Sequence, residues 1–118
     1  MSDLDAFDEY QELALRTASP VSTESERAML TSAALGLSGE SGEIADHVKK
    51  IVYHGHPLDE ETRDKIAKEI GDILWYCAIG ARGIGVGLGE IARANVEKLR
   101  KRYPEGFSTE KSLNRPHG

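Results

Sequence analysis

Three observations predict an all-α fold. Apolar residues recur at three- and four-residue spacing in four separate segments, and no useful length of chain alternates apolar and polar at period two. Breaks bearing proline or glycine fall between the segments, at 19–20, 54–57 and 83–87. Four helices joined by short links suggest an antiparallel bundle or a related packing. The chain has 118 residues, one domain's worth, so a single domain over 1–118 is expected.

The first helix is predicted over 3–18, with Phe7, Tyr10, Leu13 and Ala14 on one face. Ser19-Pro20 stops it, because the residue before proline is pushed out of the α region. Thr23-Glu24-Ser25-Glu26 fits a capping box, with Thr23 as N-cap and Glu26 reaching back, so the second helix is predicted over 23–53. Its middle, 36–42, is rich in glycine. Each interior glycine costs about 1 kcal/mol relative to alanine, so a kink or very close packing by a neighbour is expected there. Asp59 is a good N-cap for a third helix over 59–83, and Glu60 and Glu61 suit the positive end of its dipole. Residues 83–87 read as a flexible turn. Their glycines are spaced two apart and no strand precedes them, so they are not a dinucleotide fingerprint. A fourth helix is predicted over 88–102, followed by a polar, loosely held tail over 103–118.

Composition narrows the function classes. Hydrophobic residues make up 39% of the chain, which excludes disorder as the main state. No uncharged apolar run approaches the roughly 18 residues needed to cross a bilayer. The first five residues are acidic and lack the apolar stretch of a secretory signal. A cytoplasmic protein is expected, with no membrane partner. Cys77 is the single cysteine, so no internal disulfide forms. The net charge of −5 argues against a DNA or RNA duplex as main partner. It leaves room for a small anionic substrate if metal ions mediate the contact. Charge is uneven: Lys98, Arg100, Lys101 and Arg102 crowd the end of the fourth helix.

Two acidic pairs stand out, Glu40 with Glu43 on the second helix and Glu69 with Asp72 on the third. The i,i+3 spacing puts both carboxylates of a pair on one helix face. Either pair alone reads as solvated surface. The helical wheel brings them nearer the core. Ile66, Ile70, Ile73, Leu74 and Cys77 set the apolar centre of the third helix, with Glu69 about 90° and Asp72 about 150° from it. Leu37, Ile44, Val48 and Ile51 set that of the second, with Glu40 about 60° and Glu43 about 120° away and His47 between them. Antiparallel packing can then oppose the two pairs. Residues 73–81 carry no charge, and Trp75, Tyr76 and Ile79 point away from the apolar centre, so a second subunit is expected to cover them. Four close, partly buried carboxylates resist ionisation unless cations join them, and an all-oxygen set suits Mg²⁺, with Mn²⁺ as substitute.

On the fourth helix Leu88, Ile91, Ala92 and Leu99 form the apolar stripe, and Asn95, Lys98 and Arg102 share its edge. That edge reads as an amide beside two snorkelling cations, or, next to a metal site, as a clamp for phosphate oxygens. Lys50 lies on the side of Glu43 and either joins that clamp or pairs with Glu43.

The runs 37–46, 50–55, 69–76 and 94–99 together resemble the MazG-like nucleoside triphosphate pyrophosphohydrolases of the all-α NTP pyrophosphatase superfamily, in a short single-domain form. The resemblance covers about 7–115. It implies helices that pack against another subunit in a homodimer or homotetramer. It implies Mg²⁺-dependent cleavage of an NTP or dNTP between the α and β phosphates, giving the monophosphate and pyrophosphate by attack of a metal-activated water. By motif, Glu40, Glu43, Glu69 and Asp72 match metal ligands and catalytic residues, Asn95 and Lys98 match a substrate-contacting helix, and Tyr76 matches a position lining the site. Candidates for holding the base are Trp75, Tyr53, His47, His56, Phe7, Gln11 and Arg16. The alternatives are a non-catalytic metal-binding helical oligomer and an interaction module. A di-iron protein is disfavoured, because neither acidic pair carries the Glu-x-x-His spacing.

Overall fold

Five helices follow one another in the computed structural model, which describes residues 2–115: α1 (Ser2–Leu15), α2 (Glu26–Tyr53), α3 (Glu60–Gly83), α4 (Leu88–Arg102) and α5 (Thr109–Leu113). No strand is present among the described residues, and the fold is all-α as predicted. No helix among them is long and apolar enough to cross a membrane.

Helix ends depart from expectation where side chains compete for the backbone. α1 stops at Leu15 because the Ala14 carbonyl is drawn elsewhere. It accepts from the Thr17 amide (3.0 Å), the Thr17 hydroxyl (2.7 Å) and the Trp75 indole N–H (3.1 Å). The N-cap of α2 is Ser25, not Thr23. Ser25 Oγ accepts from the Ala28 amide at 3.0 Å, while Thr23 donates its hydroxyl back to the Ser19 carbonyl. Asp59 caps α3 as predicted, accepting from the Thr62 amide at 2.9 Å. The tail is not loose throughout: Ser108 Oγ caps α5 by accepting from the Lys111 amide at 3.1 Å. Residues 116–118 of the predicted tail lie outside the described residues.

α2 and α3 form a long antiparallel hairpin, the most extensive contact in the chain. One register runs its whole length: the numbers of opposed residues add to 112 or 113. Gly83 meets Met29 and Leu30, Gly80 meets Ala33, and Gly36 meets Tyr76. A Cβ on Gly36 would lie 2.2 Å from the Tyr76 ring, so this glycine is what lets the ring lie against α2. α2 runs unbroken through Gly39 and Gly42, where an added Cβ would meet nothing outside the helix within 4 Å. The expected close approach is therefore made at one glycine of the three, and there is no helix break.

α1 lies across the end of the hairpin and packs on α4 and α3. Its buried Gln11 joins three pieces of chain. The Gln11 amide donates to the carbonyls of Ala78 (3.1 Å) and Val86 (3.3 Å), and its Oε1 accepts from the Leu88 amide at 3.0 Å. Asp8 accepts from the Gly89 amide at 2.8 Å. α1 thus supplies the side-chain caps that Gly87, the N-cap of α4, lacks, and places a negative charge at the positive end of that helix. The 83–87 turn is fixed, not flexible. Gly85 at φ +74° allows the Val86 amide to return to the Ala81 carbonyl and the Gly85 amide to that of Arg82, a Schellman closure.

Among the described residues the buried apolar side chains are few and mostly small: Ala14, Ala33, Ala78, Ile79, Ala81 and Leu88. Of the residues expected to need a second subunit, Ile79 is covered within the chain, and Trp75 and Tyr76 are half-buried. Ile79 is wholly buried, and Trp75 packs against the core cluster with its indole on α1. Other apolar side chains are left uncovered. Ile70 (55% exposed) and Leu74 (38%), placed at the apolar centre of α3 by the wheel, face outward, as does Leu35 (71%) on α2. The radius of gyration, 17.1 Å, exceeds the about 13.5 Å of a compact chain of this length.

Gly36→Ala is expected to lower unfolding stability by about 1–3 kcal/mol through overpacking against Tyr76. Gly39→Ala, in open space, is expected to leave it unchanged or raise it by up to about 1 kcal/mol. Denaturant melts of the two variants check the pair.

Candidate functional site

The register of the hairpin sets Glu43 opposite Glu69 and Glu40 opposite Asp72. The i,i+3 spacing on α2 then lets Glu40 and Glu43 flank the Glu69 carboxylate from one side. One carboxylate oxygen from each of Glu40, Glu43 and Glu69 lies within 4.8 Å of the others. Glu40 and Glu69 are half-buried and Glu43 is exposed. Oε2 of Glu40 and Oε2 of Glu69 are out of water and have no protein hydrogen-bond partner. The Glu69 carboxyl is pushed up to about 8 by the Glu43 and then the Glu40 carboxyl crowded against it, and by loss of water.

This donor set fits a hard divalent cation. Oxygens bound to one such ion lie no more than about twice the 2.0–2.6 Å bond length apart, and the three carboxylates meet that limit. Two desolvated acceptors with nothing to bind point the same way.

The structure distributes the other predicted residues unevenly. Asp72, exposed, is not in the three-carboxylate group. Its charge reaches Tyr10 of α1, whose phenol is raised first by burial and then by Asp72 and Cys77. Lys50 pairs with Asp46 at 2.9 Å, and Lys49 shares that carboxylate at 3.0 Å. These contacts hold Asp46 down at about 2, Lys50 first and Lys49 next. Of the two alternatives for Lys50, the pair with Glu43 does not form. Tyr76 lies against Gly36 and makes an edge contact with Trp75, ring centroids 5.0 Å apart. Asn95 and Lys98 are exposed on α4, which packs on α1 and the end of α3 and makes no extensive contact with α2. Arg102 lines a cavity between α4 and α5.

Among the candidates for holding the base, Trp75 anchors α1 by donating to Ala14 and to Thr17 Oγ1 at 2.8 Å. Phe7 packs on the core cluster, and Gln11 is spent on backbone groups. Arg16 lines a 470 Å³ groove with Glu12, Leu15, Thr23, Met29 and Arg82. Tyr53 and His56 are exposed and His47 is half-buried. The positioning role of Gln11 had one trace in the sequence, a polar residue set between Phe7 and Ala14 in the apolar face of α1.

A family model described as the MazG nucleotide pyrophosphohydrolase domain matches residues 29–107. The chain belongs to the MazG family. The MazG match takes in nearly all of α2 and the whole of α3 and α4, and so every acid of the two pairs. The Gene 37 protein of Mycobacterium phage L5 is 40% identical over 73 residues. That stretch is 61% of this chain and 64% of the phage protein, less than two thirds of the relative's length. No solved structure matches the chain.

Three acids crowded at one point repel each other, so Glu69→Gln is expected to leave the melting temperature in EDTA unchanged or raised. The same variant is expected to lose the upward shift that millimolar Mg²⁺ or Mn²⁺ gives the parent chain. Thermal melts with and without the cation check both.

Proposed function

We propose that the protein is a cytoplasmic, single-domain nucleotide pyrophosphohydrolase that cleaves (d)NTPs between the α and β phosphates, with Mg²⁺ as cofactor. The observation that carries this reading is the three-carboxylate cluster lying inside the stretch that matches the MazG domain. Glu40, Glu43 and Glu69 hold the cation, and Asp72, level with Glu40 on α3, is the fourth acid of the set. When bound, a hard divalent cation neutralises phosphate charge and favours attack by water on phosphorus. The carboxylates position the attacking water in line with the leaving pyrophosphate and take up its proton. Asn95, Lys98, Arg102 and Lys50 contact phosphate oxygens, and Tyr76 lines the site beside Gly36. Lys50 reaches the phosphates by giving up Asp46, a surface pair of small worth.

In this reading a second copy completes the molecule. Leu35 on α2 and Ile70 and Leu74 on α3 are apolar and exposed, and an expanded single chain leaves them uncovered. Assembly also offers α4 of one copy a path to the carboxylates of another, which its own packing does not. Sedimentation is expected to give a dimer or tetramer. The Ile70→Glu/Leu74→Glu variant is expected to sediment as a monomer with retained helix content, and a parent chain that is monomeric at micromolar concentration refutes the assembly.

The decisive assay is a panel of canonical NTPs and dNTPs with Mg²⁺, scored for pyrophosphate against orthophosphate. Pyrophosphate is expected as the direct product, with at least about a hundredfold loss in Glu69→Gln. Orthophosphate as direct product, or undiminished activity in the variant, overturns the reading. Cation-dependent stabilisation with no turnover favours the non-catalytic alternative.

A further inference from the structure

The last turn of α4 and the helix α5 flank an open cavity of about 280 Å³, lined by Lys101, Arg102, Glu110, Lys111, Asn114 and Arg115. Four of the six lining residues are cationic and one is acidic. This lies in a chain of net charge −5, six of whose fifteen lysines and arginines fall within 98–115. Among the described residues no ion pair joins Lys101, Lys111 or Arg115 to a carboxylate. Arg100, in the same turn, pairs with Glu97 at 2.8 Å. Lys101 and Arg102 also suit the negative end of the α4 dipole. That accounts for one wall of the cavity and not for Lys111 and Arg115 on the other. Like charges brought together around a small space repel, and an anion between them removes the repulsion.

We propose that this cavity binds a small phosphate anion, a di- or triphosphate group held by Lys101, Arg102, Lys111 and Arg115. Two guanidinium forks suit paired phosphate oxygens, and the lysines add point charge. The volume lies just under the roughly 300–1,000 Å³ of pockets that take drug-sized ligands, which are mostly apolar. Six polar or charged side chains line a space of this size, which receives a phosphate chain. The group comes from one of two sources, free pyrophosphate or the phosphate end of a nucleotide. That assignment of source rests on the hydrolase reading, with Arg102 common to both; binding itself requires neither metal nor turnover.

Calorimetric titration of the full chain with inorganic pyrophosphate in EDTA is expected to show one site per chain. Lys111→Gln/Arg115→Gln is expected to weaken it about tenfold or more. Lys65→Gln, which removes a lysine paired with Glu61 on α3, is expected to leave it unchanged. If circular dichroism shows lost helix in the double variant, the single variants carry the test, each weakening binding several-fold. No binding by the parent chain, equal binding by the charge-removed variants, or an equal loss in Lys65→Gln overturns the proposal. A nucleoside triphosphate that competes for the cavity identifies the source as the nucleotide, and one that does not identifies it as free pyrophosphate. Hydrolysis of nucleotides without pyrophosphate binding in EDTA removes this proposal alone. Binding without hydrolysis leaves it standing.

Discussion

The close approach of α2 and α3 at Gly36 is the constraint on which the rest depends. The Tyr76 ring occupies the space a side chain would need, and from that contact a single register runs in both directions along the hairpin. Toward one end it seats Ala33 under Gly80 and Leu30 under Gly83. Toward the other it brings Glu43 and Glu40 onto Glu69. Moving α3 by one turn past α2 would undo the acid cluster and the packing together. Local spacing on each helix and the long-range register must agree for the acids to meet, and they agree because a small residue falls at one position.

The energetic consequence is a protein whose site is paid for by its scaffold. Three carboxylates at one point repel one another and oppose folding. The compensating contacts are gathered at the other end of the hairpin, where Gln11, Asp8 and Trp75 satisfy buried backbone groups from side chains. Charge follows the same division: acids crowd the middle of the hairpin, and cations collect where α4 meets α5.

Much of this was legible in the sequence. Three-and-four spacing located four helices, Asp59 marked the start of α3, and the two i,i+3 acidic pairs singled out three residues that do meet. The helical wheel failed where a helix is apolar all round. From Ile73 to Ala81 there is no polar face to fix the rotation, so the wheel gave Ile70 and Leu74 to the core and Trp75 and Ile79 to a partner, the reverse of what packing chose. Long-range polar contacts left fainter marks. That Thr23 would spend its hydroxyl on Ser19, or Lys50 its ammonium on Asp46, depends on rotamers that spacing alone does not encode. The tail helix was missed because five residues are too few for periodicity, although Ser108 carries a capping side chain.

The caps that α1 provides for α4 come from more than seventy residues upstream. The hairpin between them needs only neighbours in the chain, so it is able to form while synthesis is still under way. Asp8 and Gln11, made first, wait until Leu88 and Gly89 have emerged before their oxygens have anything to hold. The bonds between α1 and the start of α4 therefore close last, like a clasp, on a first helix that Trp75 and Ala78 of α3 already hold.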